Sequence, residues 1–131
     1  MSHKILIVDD SATTRAMIKR IVGLCGVDVA QVLEAADGRQ GLDVLRAKGA
    51  DLVLADLHMP NMGGLEMTQR IIADPTLKHV PVVIVSADPN VARIEELKKQ
   101  GVKGYLAKPF TPESFRVVLG EILGGAHAHA A

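Results

Sequence analysis

Short apolar runs alternate along the chain with longer stretches in which apolar residues recur every three or four positions. Ile5-Leu6-Ile7-Val8 is continuous and β-branched, the pattern of a strand buried on both faces. From Ser11 to about Cys25 the residues Met17, Ile21, Leu24 and Cys25 form a helical stripe that stops near Gly26. Val29 to Leu33 predicts a second strand. Gly38 to Lys48 predicts a helix with Leu42 and Leu45 inward, closed by Gly49. Leu52-Val53-Leu54-Ala55 is a third strand running into Asp56. Gly64 to Ala73 is a helix with Leu65, Met67 or Thr68, Ile71 and Ile72 on one side. Val82-Val83-Ile84-Val85 is the most β-branched strand. Asp88-Pro89 then offers an N-cap and a first-turn proline to a helix carried by Val91, Ile94 and Leu97 as far as Gly101. Gly104-Tyr105-Leu106-Ala107 is a fifth strand. Thr111-Pro112 caps a last helix in which Phe115, Val118, Leu119 and Ile122 keep helical spacing.

Five strands alternating with five helices predict an α/β domain: one doubly wound parallel sheet, right-handed crossovers, helices on both faces. The 131 residues suit one such domain, and no internal repeat is present. Residues 124–131, rich in glycine and alanine, are expected to form a flexible C-terminal tail. Its His127 and His129 suit a solvated tail better than a metal site.

Composition removes several classes of function. Fifteen acids balance fifteen bases, which argues against a protein that coats nucleic acid or an anionic membrane. Only Tyr105, Phe110 and Phe115 are aromatic, so stacking platforms for bases are lacking. The longest apolar run, Val80 to Val85, is far short of the ~20 residues that span a bilayer and contains Pro81. The single cysteine, Cys25, cannot form an internal disulfide, which fits a reducing, cytoplasmic location.

Open α/β sheets bind ligands at the carboxyl ends of their strands. Those ends carry Asp9-Asp10, Asp56, Ser86 and Lys108-Pro109. Each has an ordinary reading on its own, since aspartate and serine recur in turns and caps and a lysine is usually solvated. Together they bring three carboxylates, a hydroxyl and an ammonium to one rim. The carboxylates would raise one another's pKa unless a cation neutralised them, and all-oxygen ligands suit a hard ion such as Mg2+. Cys25 is alone, and outside the tail no histidine pair sits at zinc-ligand spacing. Metal, ammonium and hydroxyl together could receive a phosphoryl group, with a carboxylate as nucleophile.

These residues resemble the signature of response-regulator receiver domains. The likeness rests on Asp9-Asp10, Asp56-Leu57-His58-Met59-Pro60, Ser86-Ala87 and Lys108-Pro109-Phe110, and runs from about Lys4 to Leu123. Met59-Pro60-Asn61-Met62, Gly64-Leu65-Glu66 and Lys108-Pro109-Phe110-Thr111 make the stand-alone chemotaxis receivers the most similar branch. The resemblance implies a flavodoxin-like sheet in the order 2-1-3-4-5, with residues 1–123 forming the receiver. It implies that Asp56 accepts a phosphoryl group from a histidine kinase of the chemotaxis type. Asp10, Asp56 and the main-chain carbonyl of His58 would hold Mg2+, with Asp9 acting partly through water. Lys108, expected before a cis Pro109, would pair with the phosphoryl oxygens. Ser86 and Tyr105 would form the switch, read out on the fourth helix, fifth strand and fifth helix. His58 and Asp88, which flank the phosphoryl site in relatives, would tune its lifetime; Asp88 as a helix cap and His58 as a surface residue are the plainer readings. Gly63 stands where many relatives carry aspartate, which implies a more flexible loop.

The implied protein is not an enzyme beyond catalysing its own phosphorylation and dephosphorylation. It is expected to act as a monomer on a phospho-dependent partner such as a flagellar motor-switch protein, with a phosphatase as a further partner. A receiver filling the chain would leave no room for an output domain, so its effect is expected to come through binding. A phosphorelay intermediate, or regulation of a non-flagellar partner, shares the same site and is the main alternative. A phosphatase of the haloacid-dehalogenase type would want its nucleophile in a D-x-D motif after the first strand. A flavodoxin-like nucleotide carrier would want a phosphate loop where Asp9-Asp10-Ser11 stands.

Overall fold

The computed structural model describes residues 3–87 and 91–123, without the side chain of Val91. The strands are β1 (His3–Val8), β2 (Val29–Ala35), β3 (Leu52–Ala55), β4 (Val82–Ser86) and β5 (Gly104–Ala107). The helices are α1 (Ala12–Leu24), α2 (Gly38–Lys48), α3 (Gly64–Ala73), α4 (Val91–Lys99) and α5 (Pro112–Ile122). All four strand pairings are parallel, in the order β2-β1-β3-β4-β5.

The continuous apolar strands are explained by a core on each side of the sheet. Along β1 the side chains alternate: Leu6 and Val8 enter the cluster built with α2, α3 and α4, through Leu42, Leu45, Met67, Ile71 and Leu97. Ile5 and Ile7 enter the opposite cluster, built with Ile18 and Val22 of α1 and Phe115 and Leu119 of α5. The same alternation runs through Leu52–Ala55 and Val82–Val85, so neither face can be given up without exposing one of the two cores. Each large side chain buried in this way contributes about 1.5–3 kcal/mol.

Local signals set the helix starts. Ser11 caps α1 by accepting from the Thr14 amide at 3.2 Å. Thr111 and Ser114 form a reciprocal capping box around Pro112 at the start of α5. Gly49, at φ 73°, closes α2 in a conformation that other residues adopt at a cost. The expected cap of α4 at Asp88, and the tail at 124–131, lie outside the described residues. Among the described residues no helix is long and apolar enough to cross a membrane.

Three expectations are corrected. In α1 the inward stripe is Ile18, Val22 and Cys25, while Met17 and Leu24 are 51% and 61% exposed. Apolar residues at 17, 18, 21, 22, 24 and 25 offer two overlapping helical stripes, and docking decides between them. The carbonyl of Cys25 accepts from Nε of Arg116 on α5 at 3.3 Å, which fixes how α1 faces its neighbour. In α3, Ile72 is 43% exposed, whereas Met67, Thr68 and Ile71 are buried. β2 runs on past Leu33 to Ala35 because its pairing with β1 continues, Glu34 opposite Ile7 and Ala35 opposite Val8, with the Glu34 side chain exposed.

The α1 packing predicts that Ile18→Ala lowers stability by about 2–4 kcal/mol in urea denaturation. Met17→Ala should stay within about 0.5 kcal/mol of the parent. The reverse order would restore the Met17 stripe.

Candidate functional site

Parallel register lines up the carboxyl ends of four strands. Val8 pairs with Ala55, Ala55 with Ile84, and Ser86 with Ala107, so the residues that follow emerge on one rim. Backbone bonds extend the alignment beyond the strands. The Asp56 amide donates to Val8 O at 3.0 Å, the Asp9 amide to Ala35 O at 3.1 Å, and the Lys108 amide to Ser86 O at 2.8 Å.

Asp9, Asp10 and Asp56 each place a carboxylate oxygen within 4.8 Å of the others. Lys108 reaches across the rim, with Nζ 3.4 Å from Asp9 Oδ2 and 3.5 Å from Asp56 Oδ2. The peptide bond from Lys108 to Pro109 is cis, as the resemblance implied. Asp9 is buried, Asp56 half-buried and Asp10 exposed, so the cluster is closed below and open above. Burial pushes the Asp9 carboxyl above its ordinary range, against the opposing pull of the Ser11 amide and the Lys108 ammonium. The Ser11 amide donates to Asp9 Oδ1 at 2.8 Å, so one carboxylate both closes the turn into α1 and faces the cluster.

Ser86 is buried at the last position of β4. Tyr105 is half-buried on β5, and its hydroxyl donates to the Ser86 carbonyl at 3.4 Å. The structure therefore brings Asp9, Asp10, Asp56 and Lys108 together, with Ser86 and Tyr105 beside them. His58 follows in the loop after β3 with an exposed side chain. Asp88 lies outside the described residues.

That loop, Asp56–Gly63, is held from several sides. The Gly64 amide donates to Leu57 O at 3.1 Å. A Cβ on Gly64 would collide with the Asp56 carbonyl, and one on Gly63 would stand 2.6 Å from Leu57 O. Gly63 has an ordinary φ of −82°, so the close approach of Leu57 O, and not a left-handed turn, is what suits a glycine here. Residues not singled out from the sequence also brace the rim. Arg15 donates to the Asp9 carbonyl at 2.6 Å and to Glu34 at 3.0 Å. Asp37 caps α2 and accepts from the Asn61 side chain at 2.8 Å. The spacing of Asp37 and Gln40 is a legible capping signal; Arg15 offered none.

Three carboxylates against one ammonium leave two negative charges uncompensated. The donors are all oxygen, and the exposed side at Asp10 leaves room for water. That set fits a hard divalent ion such as Mg2+, which keeps several waters. Among the described residues no other trio of metal-ligating side chains is gathered this closely.

A doubly wound sheet in the order β2-β1-β3-β4-β5 with an acidic pocket at its carboxyl rim defines a flavodoxin-like α/β domain. The chain matches the response regulator receiver domain family over residues 5–119 and belongs to that family. It is 39% identical to chemotaxis protein CheY-3 of Vibrio cholerae, over 91% of this chain and 90% of that protein. It is 39% identical to chemotaxis protein CheY of Pseudomonas aeruginosa, over 84% and 87%. Among solved structures, chemotaxis response regulator CheY4 of Vibrio cholerae superposes with a TM-score of 0.82 at 30% identity, covering 94% of this chain and all of that one. A putative response regulator from Chloroflexus aurantiacus superposes with a TM-score of 0.84 at 27% identity, over 94% and 98%. Receiver domains of this family generally bind Mg2+ at an acidic pocket and serve as signalling proteins.

The raised carboxyl of Asp9 has a definite consequence for stability. A raised folded-state pKa means that the folded protein holds this proton more tightly than the unfolded chain does. The resulting penalty is absent below the ordinary value of 3.8 and grows as pH rises through the window between that value and the raised one. Asp9→Asn should therefore raise the Tm at pH 7 in the presence of a chelator, by an amount that shrinks toward pH 3.8. A lower Tm at pH 7 would contradict this.

Proposed function

We propose that this chain is a response regulator phosphorylated on Asp56 by a histidine kinase, and that it signals through phosphorylation-dependent protein binding in chemotaxis. In this reading residues 1–123 act as the receiver and residues 124–131 as a tail. The observation that supports it best is the position of Asp56, on the open rim within reach of Lys108 and beside Asp9 and Asp10.

An Asp56 carboxylate oxygen attacks the phosphorus of a phosphohistidine, the P–N bond breaks, and the imidazole leaves with its electron pair and takes up a proton. Mg2+, when bound there, would supply positive charge beside the transferring phosphoryl group. Asp10, Asp56 and the His58 main-chain carbonyl would hold that ion, with Asp9 acting partly through water. Lys108 shifts from its carboxylate partners to a phosphoryl oxygen. The Ser86 hydroxyl donates to another oxygen, and Tyr105 follows into the space this leaves. The acceptance of its hydroxyl by the Ser86 carbonyl supports a coupled pair. The phosphoryl group then biases the surface of α4, β5 and α5 toward a partner such as a flagellar motor-switch protein. His58 and Asp88 tune the lifetime of the acyl phosphate, which the chain itself hydrolyses. The protein works in the cytoplasm as a monomer.

The wild-type chain should take up label from radiolabelled acetyl phosphate in a Mg2+-dependent, hydroxylamine-sensitive linkage, and Asp56→Asn should reduce it to background. Undiminished labelling of Asp56→Asn would overturn the assignment. A pull-down with beryllofluoride should enrich a motor-switch protein over the untreated control; enrichment of a histidine phosphotransfer protein instead would point to a phosphorelay.

A further inference from the structure

The Asp56–Gly63 loop must present main-chain and side-chain groups to the acidic cluster, and Leu57 and Met62, with Met59 beside them, root it in the core under α2 and α3. Met62 is its deepest residue after Leu57, at 7% and 5% exposure. Between these apolar anchors, polar bonds to the start of α2 fix the turn at Asn61. The Asn61 side-chain amide donates to Asp37 Oδ2 at 2.8 Å, and the Gly38 amide donates to the Met62 carbonyl at 2.9 Å. Asn61 sits at φ 64°, a left-handed conformation that asparagine tolerates better than most residues. Gly38 has no room for a Cβ, which would stand 2.7 Å from Met62 O.

Asp37 is 5% exposed, and both of its oxygens are engaged. Oδ1 accepts from the Gln40 amide at 2.8 Å as the cap of α2, and Oδ2 accepts from Asn61. The Gln40 amide, and then the Asn61 side chain, hold its carboxyl below the ordinary carboxylate range, as expected for an ionised acceptor in a fixed hydrogen-bond set. Asp37 also lies two residues beyond Ala35, whose carbonyl accepts from the Asp9 amide. The pair thus ties the loop after β3, which carries Asp56, to the turn between β2 and α2, and that turn is bonded in its own backbone to Asp9. Neither Asp37 nor Asn61 belongs to the cluster itself.

We propose that the Asp37–Asn61 hydrogen bond is a latch that positions the loop after β3 for cation binding, so that two residues outside the acidic cluster set its Mg2+ affinity. This rests on the proposed function, because it takes the acidic cluster as a Mg2+ site. Asp37 and Asn61 are positioning residues: they act through the loop and not on the ion.

Three variants separate the latch from the helix cap. Asn61→Gly keeps the left-handed conformation and removes the donor. Asn61→Asp faces Asp37 with a second carboxylate. Combining Asn61→Asp with Asp37→Asn restores a donor and an acceptor in reversed order while keeping a good cap at 37. Calorimetric titration with MgCl2, at a temperature where every variant is folded, should show a dissociation constant raised about tenfold in both single variants. The combined variant should recover to within about threefold of wild type, whatever its Tm. Dissociation constants within twofold of wild type in both single variants would overturn the latch, even with a lowered Tm. Amide hydrogen exchange at Met62 and Gly64 without metal provides an independent reading. Faster exchange in Asn61→Gly supports the latch, and unchanged exchange overturns it. Absence of Mg2+ binding by the wild type would overturn the proposed function, and exchange would still decide whether the pair holds the loop.

Discussion

Like charges held together at one rim of a parallel sheet are the constraint on which the rest of this structure depends. Asp9, Asp10 and Asp56 come within 4.8 Å because parallel register places the ends of β1 and β3 side by side. Water would keep three such groups apart, and the fold opposes that separation with two cores. The rigidity of Ile5–Val8 and Leu52–Ala55, packed on both faces, is what makes the crowding tolerable. Lys108 offsets part of the charge, and its backbone is tied to β4 through Ser86. The remainder is left for a ligand, which is how a fold stores binding energy at a site.

The bracing around the rim follows from the same constraint. Arg15 grips the Asp9 carbonyl and Glu34, so the turn after β1 is anchored to β2 as well as to α1. Gly64 lets the chain turn back against the Asp56 carbonyl. Asp37 and Asn61 tie the loop after β3 to the start of α2. Each holds backbone near the cluster without adding another negative group to it.

Much of this was legible before the structure. The two-sided strands announced a sheet covered on both faces, because Val82–Val85 has no polar side to give to water. The rim residues were legible because each directly follows an apolar run, and their spacing resembles a known family. The face of α1 was not legible: Met17 and Ile18 are equally apolar, and only the docking of Cys25 and Arg116 separates them. Bonds between distant residues, such as Arg15 to Asp9 and Asn61 to Asp37, were likewise hidden. They depend on which turns meet, and turns are placed by the sheet order and not by local pattern.

The central claim is that this crowded rim is completed by a divalent cation. The most direct test is the thermal stability of the wild-type chain across a MgCl2 titration at fixed ionic strength, beside Asp10→Ala. The account predicts that stability rises with the logarithm of Mg2+ concentration, by about 2.7 kcal/mol at a hundredfold excess over the dissociation constant. In Asp10→Ala the rise should begin only at much higher concentration. A flat wild-type response, or an identical response in Asp10→Ala, would contradict it.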